Sequence, residues 1–132
     1  MIDSDTLETR LIEYLATILQ VSPPDAIHRG FVPEGADTGI GVTLAGREDA
    51  DDYDIRQNVR TAIVAGKFQT RREAWKMLDA LENAFPAYGV AFEDVFFQSI
   101  ETDAGGGEPP RQATENGKRR WFASIALHVS AY

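Results

Sequence analysis

The sequence predicts an α+β fold: a mainly antiparallel sheet of four to five strands with two helices packed on one face. Three observations predict it. Two stretches carry apolar residues at helical spacing, five others alternate at the two-residue period of a strand, and the strand-like runs come in hairpin-like pairs instead of alternating with helices. The order reads helix, strand, strand, strand, helix, strand, strand, within a single domain spanning 1–132. Its organising stretch is Asp54–Phe85, where a strand-like run, Ile55–Ala65, passes through a short break at Gly66–Gln69 into an amphipathic helix.

In the first helix, residues 5–19, Leu7, Leu11, Tyr14, Leu15, Ile18 and Leu19 form one apolar stripe, with Asp5 and Glu8 as N-terminal cap and reciprocal partner. Pro23-Pro24 stops it, because proline lacks the amide proton and pushes the preceding residue off helical angles. Ile27–Phe31 and Thr38–Leu44 are short strands separated by a Pro, Gly and Asp turn. In the second, Ile40, Val42 and Leu44 alternate with Gly39, Gly41 and Thr43. One face is therefore buried, and the other is bare enough for another backbone to approach. Arg47–Asp52 is an acidic, solvated connection.

From Ile55 to Ala65, Val59, Thr61, Ile63 and Ala65 face one way. Arg56, Asn58, Arg60, Ala62 and Val64 face the other, becoming apolar only toward the end. Thr70 and Glu73 form a capping box for the second helix, whose core positions are Ala74, Leu78, Leu81 and Phe85, with Trp75 and Met77 beside them; Pro86 and Gly89 end it. Phe92–Ile100 is an aromatic strand with Val95 and Phe97 on one face and Phe96, Gln98 and Ile100 on the other. Gly105-Gly106-Gly107 and Pro109-Pro110 mark 102–117 as a flexible hairpin loop. The closing run, Lys118–Ala131, turns Trp121, Ala123, Ile125, Leu127 and Val129 inward and Arg120, Phe122, Ser124, Ala126, His128 and Ser130 outward, as antiparallel partner of Phe92–Ile100.

A chain of 132 residues buries roughly 65–70% of its unfolded surface, enough for one core. With a net charge of −8 and no basic cluster larger than Lys118-Arg119-Arg120, the broad cationic footprint of a nucleic-acid binder is missing. Cysteine is absent, which removes disulfides, thiolate catalysis and cysteine-based zinc sites. The acidic start and the lack of an apolar run near ~20 residues point to a soluble, cytoplasmic protein with no membrane partner.

No catalytic, cofactor-binding or metal-ligating motif survives inspection. Asp49-Ala50-Asp51-Asp52-Tyr53-Asp54 begins like a calcium loop, but Tyr53 replaces a ligand, Asp54 the turn glycine, and Arg60 stands where the bidentate Glu belongs. Gly39-Ile40-Gly41 lacks the third glycine and the following helix of a dinucleotide site, and Gly66-Lys67-Phe68 lacks the rest of a P-loop. His28 and His128 pair with no nucleophile at a known spacing. Glu93 and Asp94, adjacent in a strand, point to opposite faces and read as edge charges. Trp121 and Phe97 read as core, whereas Phe96 and Phe122, on the opposite faces, read as core or as subunit contacts.

The Val59–Gly66 strand leads into the Thr70–Phe85 helix with its Ala74-x3-Leu78-x2-Leu81-x3-Phe85 register. With the leading helix Leu7–Leu19, the Gly39–Leu44 strand and the closing run from Trp121 to Val129, it carries a resemblance over nearly the whole chain. In pattern and order the chain resembles the tail terminator (tail completion, or minor capsid) proteins of long-tailed bacteriophages. That resemblance implies a non-catalytic α+β subunit of a homo-oligomeric ring, typically a hexamer. The ring caps the tail tube, ends its polymerisation and presents a joining surface to the head connector; it is assembled in the host cytoplasm and resides in the virion tail or neck. Its implied partners are further copies of itself, tail tube protein and head-tail connector proteins, with DNA passing through the lumen without specific binding. Phe96, Phe122, Arg119, Arg120, Glu93 and Asp94 are then expected at the ring interface. Asp49, Asp51, Asp52, Gly106, Glu108 and Arg111 are expected on loops reaching the lumen or an adjacent ring. Another neck component, a head-completion or connector adaptor, is the alternative within virions. A small-molecule-binding or enzymatic α+β domain with a pocket between Trp75 and the sheet is the alternative outside them.

Overall fold

The computed structural model describes residues 2–21, 26–33, 35–47, 58–102 and 107–132. The elements are α1 (Ser4–Leu19), β1 (Ile27–Arg29), β2 (Gly39–Arg47), β3 (Asn58–Phe68), α2 (Arg71–Ala84), β4 (Ala87–Phe92), β5 (Val95–Thr102), β6 (Arg111–Glu115) and β7 (Lys118–Ala131). They form an α+β fold with one sheet of seven strands in the order β1-β2-β3-β7-β5-β4, and β6 also pairs with β7. Among the described residues β1 and β2 run parallel and the other pairs antiparallel.

The sheet therefore has seven strands where four to five were expected, and the two additions are β4 and β6. β4 lies directly behind α2, and its Gly89, read as a helix terminator, is instead a left-handed residue (φ 65°) within a strand. β6 lies inside the stretch expected to be flexible. Asn116-Gly117, with φ of 52° and 77°, is a two-residue turn joining Glu115 directly to Lys118, since both central residues take the positive φ such hairpins need. Part of the expected 102–117 loop is regular strand. Thr102 closes β5, the Glu108 amide donates to the Ser124 carbonyl at 3.2 Å, and Arg111–Glu115 pairs with β7; residues 103–106 lie outside the described set. Thr102 stands opposite Leu127 and Arg111 opposite Phe122, so β5 and β6 follow each other along the same side of β7 as one interrupted strand line.

Both helices pack on one face. α1 buries Leu7, Leu11 and Leu15, and α2 buries Ala74, Met77, Leu78 and Leu81, joining Val42, Ala62, Val64, Ile125, Leu127 and Val129 of the sheet in one core cluster. Phe97 is fully buried, and the Tyr14 ring lies against it at 5.6 Å and against Phe92 at 5.4 Å. Ile100 was expected to share a face with Phe96. A bulge between Phe97 and Ser99 shifts the register on β7 by one residue, so Phe97 and Ile100 both reach the core despite their opposite parity.

One detail of the organising stretch and one of the first helix also change. β3 runs on to Phe68, so Gly66 and Lys67 belong to the strand and not to a break; the Phe68 ring folds over Gly66, where an added Cβ would stand 2.3 Å from it. The first-helix cap is Asp3, which accepts from the Thr6 amide at 2.8 Å, while Asp5 turns outward to Arg29. The Thr70 hydroxyl accepts from the Glu73 amide at 3.2 Å, as its capping role requires. The bare face of β2 is used as expected: the 30–32 backbone crosses Gly41 so closely that a Cβ there would stand 2.2 Å from the Gly30 carbonyl oxygen.

Candidate interaction surfaces

The strand faces turned away from the helices carry small and apolar side chains in cross-strand rows. Thr43, Ile63 and Ala126 lie side by side, as do Gly41, Ala65 and Ser124, and Ile63 is 41% exposed. The described residues expected at an interface fall toward the two ends of the sheet.

At one end, β4, β5 and the end of β7 bring together Tyr88, Phe96 and Tyr132, which are 64%, 43% and 48% exposed. Tyr132 exchanges backbone hydrogen bonds with Phe96 at 2.9 and 3.2 Å, so it is held in the ladder beside β5. Opposite-strand pairs Tyr88–Ser99, Ser99–Ser130 and Ala91–Phe96 put all three rings on the helix-free face. The Tyr88 hydroxyl donates to Glu101 at 3.0 Å, and this bond to a carboxylate raises the phenol pKa above its usual value. Glu93 and Asp94 are not strand edge charges. They form the two-residue turn between β4 and β5, because Phe92 pairs with Val95 and Glu93 adopts a left-handed φ of 53°. Asp94 accepts from Arg10 Nε at 2.6 Å, which pins this turn to α1 and lowers the Asp94 pKa. Tyr88 and Tyr132 escaped the sequence reading. Tyr132 continues the outward phase of the closing alternation, which was signal enough to find it.

At the other end stands the β6–β7 hairpin. Phe122 and its opposite residue Arg111 border a shallow hollow of about 180 Å³ with Glu108, Pro109 and Ala65. Arg119 and Arg120 were expected at the ring interface, but Arg120 and its neighbour Lys118 are already occupied. Lys118 Nζ lies 3.0 Å from Asp37 Oδ1, and Arg120 Nε donates to the Asp37 carbonyl at 3.1 Å. These contacts, the Lys118 bond foremost, hold the Asp37 carboxyl below its ordinary pKa. Arg119 remains exposed and, among the described residues, makes no ion pair. Beneath the hairpin, the buried Lys67 ammonium meets Glu115 at 2.6 Å. Asp49, Asp51, Asp52 and Gly106 lie outside the described residues.

The two groups are not one site. From Phe122 to Tyr132 an extended strand spans roughly 30 Å. The pocket expected between Trp75 and the sheet is not found among the described residues, because Trp75 is 38% exposed on the outer side of α2. A groove of about 490 Å³ lies instead between the C-terminal end of α1 and α2, lined by Leu19, Ile40, Phe68 and Met77. His28 on β1 and His128 on β7 are separated in the sheet by β2 and β3, and the His28 Nε2 is buried without a hydrogen bond. Among the described residues no group of three His, Asp or Glu converges to hold a metal, and no helix is long and apolar enough to cross a membrane.

No protein-family profile matches the chain, and no curated protein matches it. Among solved structures, the chain is similar to one from the virion of a native gene transfer agent particle, with a TM-score of 0.48 and 14% identity, over 96% of this chain and 91% of that one.

Proposed function

We propose that the protein is a non-catalytic ring subunit that caps the tail tube of a long-tailed phage or phage-like particle, ends tube growth and offers a joining surface to the head connector. The observation that carries this reading is the pair of unlike surfaces at opposite ends of one sheet: the exposed aromatic rings of Tyr88, Phe96 and Tyr132, and the hairpin bearing Phe122 and Arg119. Two different surfaces on one subunit suit head-to-tail contacts, and such contacts close into a ring when the rotation between copies allows it. The family resemblance of the sequence supports a hexamer. The aromatic patch of one subunit then meets the Phe122 and Arg119 hairpin of the next. With a net charge of −8 the ring carries DNA through its lumen without phosphate contacts, because like charges deny them. On this reading the protein is assembled in the host cytoplasm and resides in the tail or neck, with no cofactor.

Native mass spectrometry with and without purified tail tube, together with electron microscopy of particles lacking the protein, tests the reading. A free or tube-templated hexamer, and tails of uncontrolled length or tails unable to join heads, are expected. Normal virions, or a monomer that ignores tail tube protein at micromolar concentration, refute it. Tails of normal length with unsealed heads would reassign the subunit to the head side of the neck.

A further inference from the structure

We propose that β6 is a self-pairing edge, through which two copies of the chain join antiparallel about a two-fold axis at Ala113 and continue one sheet across both copies.

A sheet edge is a row of unpaired amides and carbonyls, and folded proteins usually shield it. Among the described residues the sheet has three free flanks. β1 is only three residues long, and its Arg29 is tied back to Asp5 and Glu8 of α1. β4 begins just after Pro86 and is broken by left-handed Gly89 at φ 65°. β6 also follows a proline, Pro110, but among the described residues none within it is left-handed and no ion pair ties it to a helix. It is five residues of extended chain, Arg-Gln-Ala-Thr-Glu, that pairs with β7 alone and exposes Arg111, Gln112, Ala113 and Thr114.

The turn fixes which groups are free. Glu115 and Lys118 close a two-residue hairpin and so bond to each other, which places Arg111, Ala113 and Glu115 in the bonds to β7 and aims the amides and carbonyls of Gln112 and Thr114 outward. In an antiparallel pair, outward residues must face outward residues. One two-fold register satisfies both strands without using Pro110 or the turn: Gln112 opposite the second copy's Thr114, Ala113 opposite itself, and Arg111 opposite Glu115. That register also pairs opposite charges on a single face, the one where Lys67 already meets Glu115 Oε1. The two alternatives shifted by one residue lose this match: one sets Gln112 opposite itself and spends an outward position on Pro110, which has no amide proton, and the other sets Gln112 against the Asn116 turn. The pairing lies in the plane of the sheet, so both helix layers stay on one side and both helix-free faces on the other. A two-fold contact cannot close a six-membered ring; it joins free subunits or two rings, and it does not rest on the virion reading.

The chain has no cysteine, so a single introduced thiol reports the contact directly. Residues opposed in a non-hydrogen-bonded antiparallel pair sit about 4.5 Å apart at Cα, within disulfide reach. Under mild oxidation A113C is expected to form a cross-linked dimer at least about tenfold faster than T114C, whose counterpart is offset, because pairing raises the effective concentration of the two thiols. Q112C mixed with T114C is expected to cross-link with each other faster than either does with itself. Adding Thr114→Pro to A113C removes an outward amide without touching the β7 bonds, and is expected to abolish the fast cross-linking while the melting temperature stays within a few degrees. Equal rates for A113C and T114C, or fast cross-linking that survives the proline, would overturn the proposal.

Discussion

Removing the Glu115 carboxylate tests how the β6–β7 hairpin is seated. Lys67 is 5% exposed, its Nζ lies 2.6 Å from Glu115 Oε1, and the Glu115 side chain is 35% exposed. A pair with one buried and one half-exposed member falls between surface pairs, worth at most ~1 kcal/mol, and buried pairs, whose rupture costs ~3–5 kcal/mol. Glu115→Gln keeps the shape and an accepting oxygen, so the expected loss is about 1–2 kcal/mol, or about 3–10 °C in melting temperature for a chain of this size. Lys67→Met removes the other charge. The double variant is expected to return to within about 1 kcal/mol of wild type, because no buried ion is then left facing a neutral partner. Urea unfolding followed by tryptophan fluorescence reads the outcome, since Trp121 lies on β7 beneath the Arg71 guanidinium at 5.7 Å from its ring. A single loss below about 0.3 kcal/mol would mean that water already solvates Lys67, and a double loss equal to the sum of the singles would mean that the two groups are not coupled. Either result refutes the argument.

Gln20 ends α1 in a left-handed conformation (φ 57°), so Gln20→Gly is expected to raise stability by about 0.5–1 kcal/mol, read as a higher urea midpoint. Arg60 is buried, and its guanidinium donates to the Ala45 carbonyl at 2.9 and 3.2 Å and to Ser4 Oγ at 2.7 Å, joining the β2 bulge to the start of α1. Arg60→Ala is expected to cost about 2–4 kcal/mol in thermal unfolding, and Arg60→Lys to rescue little, because a point charge does not reproduce the planar fork. Asp3, Asp37 and Asp94 are each held below their ordinary 3.8, by Thr6, Lys118 and Arg10 respectively. A depressed folded pKa contributes stability that is present above the unfolded value and lost as pH falls through the folded one, so the melting temperature is expected to drop on acidification below about pH 4. Asp37→Asn should flatten that drop; an unchanged acid limb would count against the Asp37 contacts.

The elements that were legible in the sequence are those whose pattern is set by one buried face. The Leu7–Leu11–Leu15 and Ala74–Leu78–Leu81 stripes gave both helices, and the alternation from Ala123 to Val129 gave the inward face of β7. β4 and β6 were hidden because glycine and proline were read as punctuation. Yet Gly89 is a kink inside a strand, and Asn116-Gly117 is the strongest hairpin signal in the chain. The bulge in β5 shows only as a break in phase, with Val95, Phe97 and Ile100 buried together, and a strict two-residue period cannot absorb it. Of the candidate interface, Phe96 was legible as the ring out of phase with the core. The fate of Lys118 and Arg120 was not, because Asp37 reaches them from 81 and 83 residues away, a proximity created by the topology alone.

The use made of the cations bears on what the surface can bind. Arg10 holds Asp94 and Glu13, Arg29 holds Asp5 and Glu8, Arg60 serves Ala45 and Ser4, Lys67 meets Glu115, and Lys118 and Arg120 share Asp37. Nearly all of these contacts join elements far apart in sequence, so these six of the thirteen Lys and Arg are spent on internal ties. Twenty-one carboxylates then dominate the outward field. Phosphate binding draws its free energy from cations that can release counterions, and a cation already paired must first break its tie. Paired cations and an acidic field therefore disfavour DNA on this surface, and added salt weakens such binding further. Acidification, which protonates the carboxylates, loosens the cations paired with them, and it weakens the fold at the same time. A surface whose cations are tied in this way offers phosphate few ready contacts.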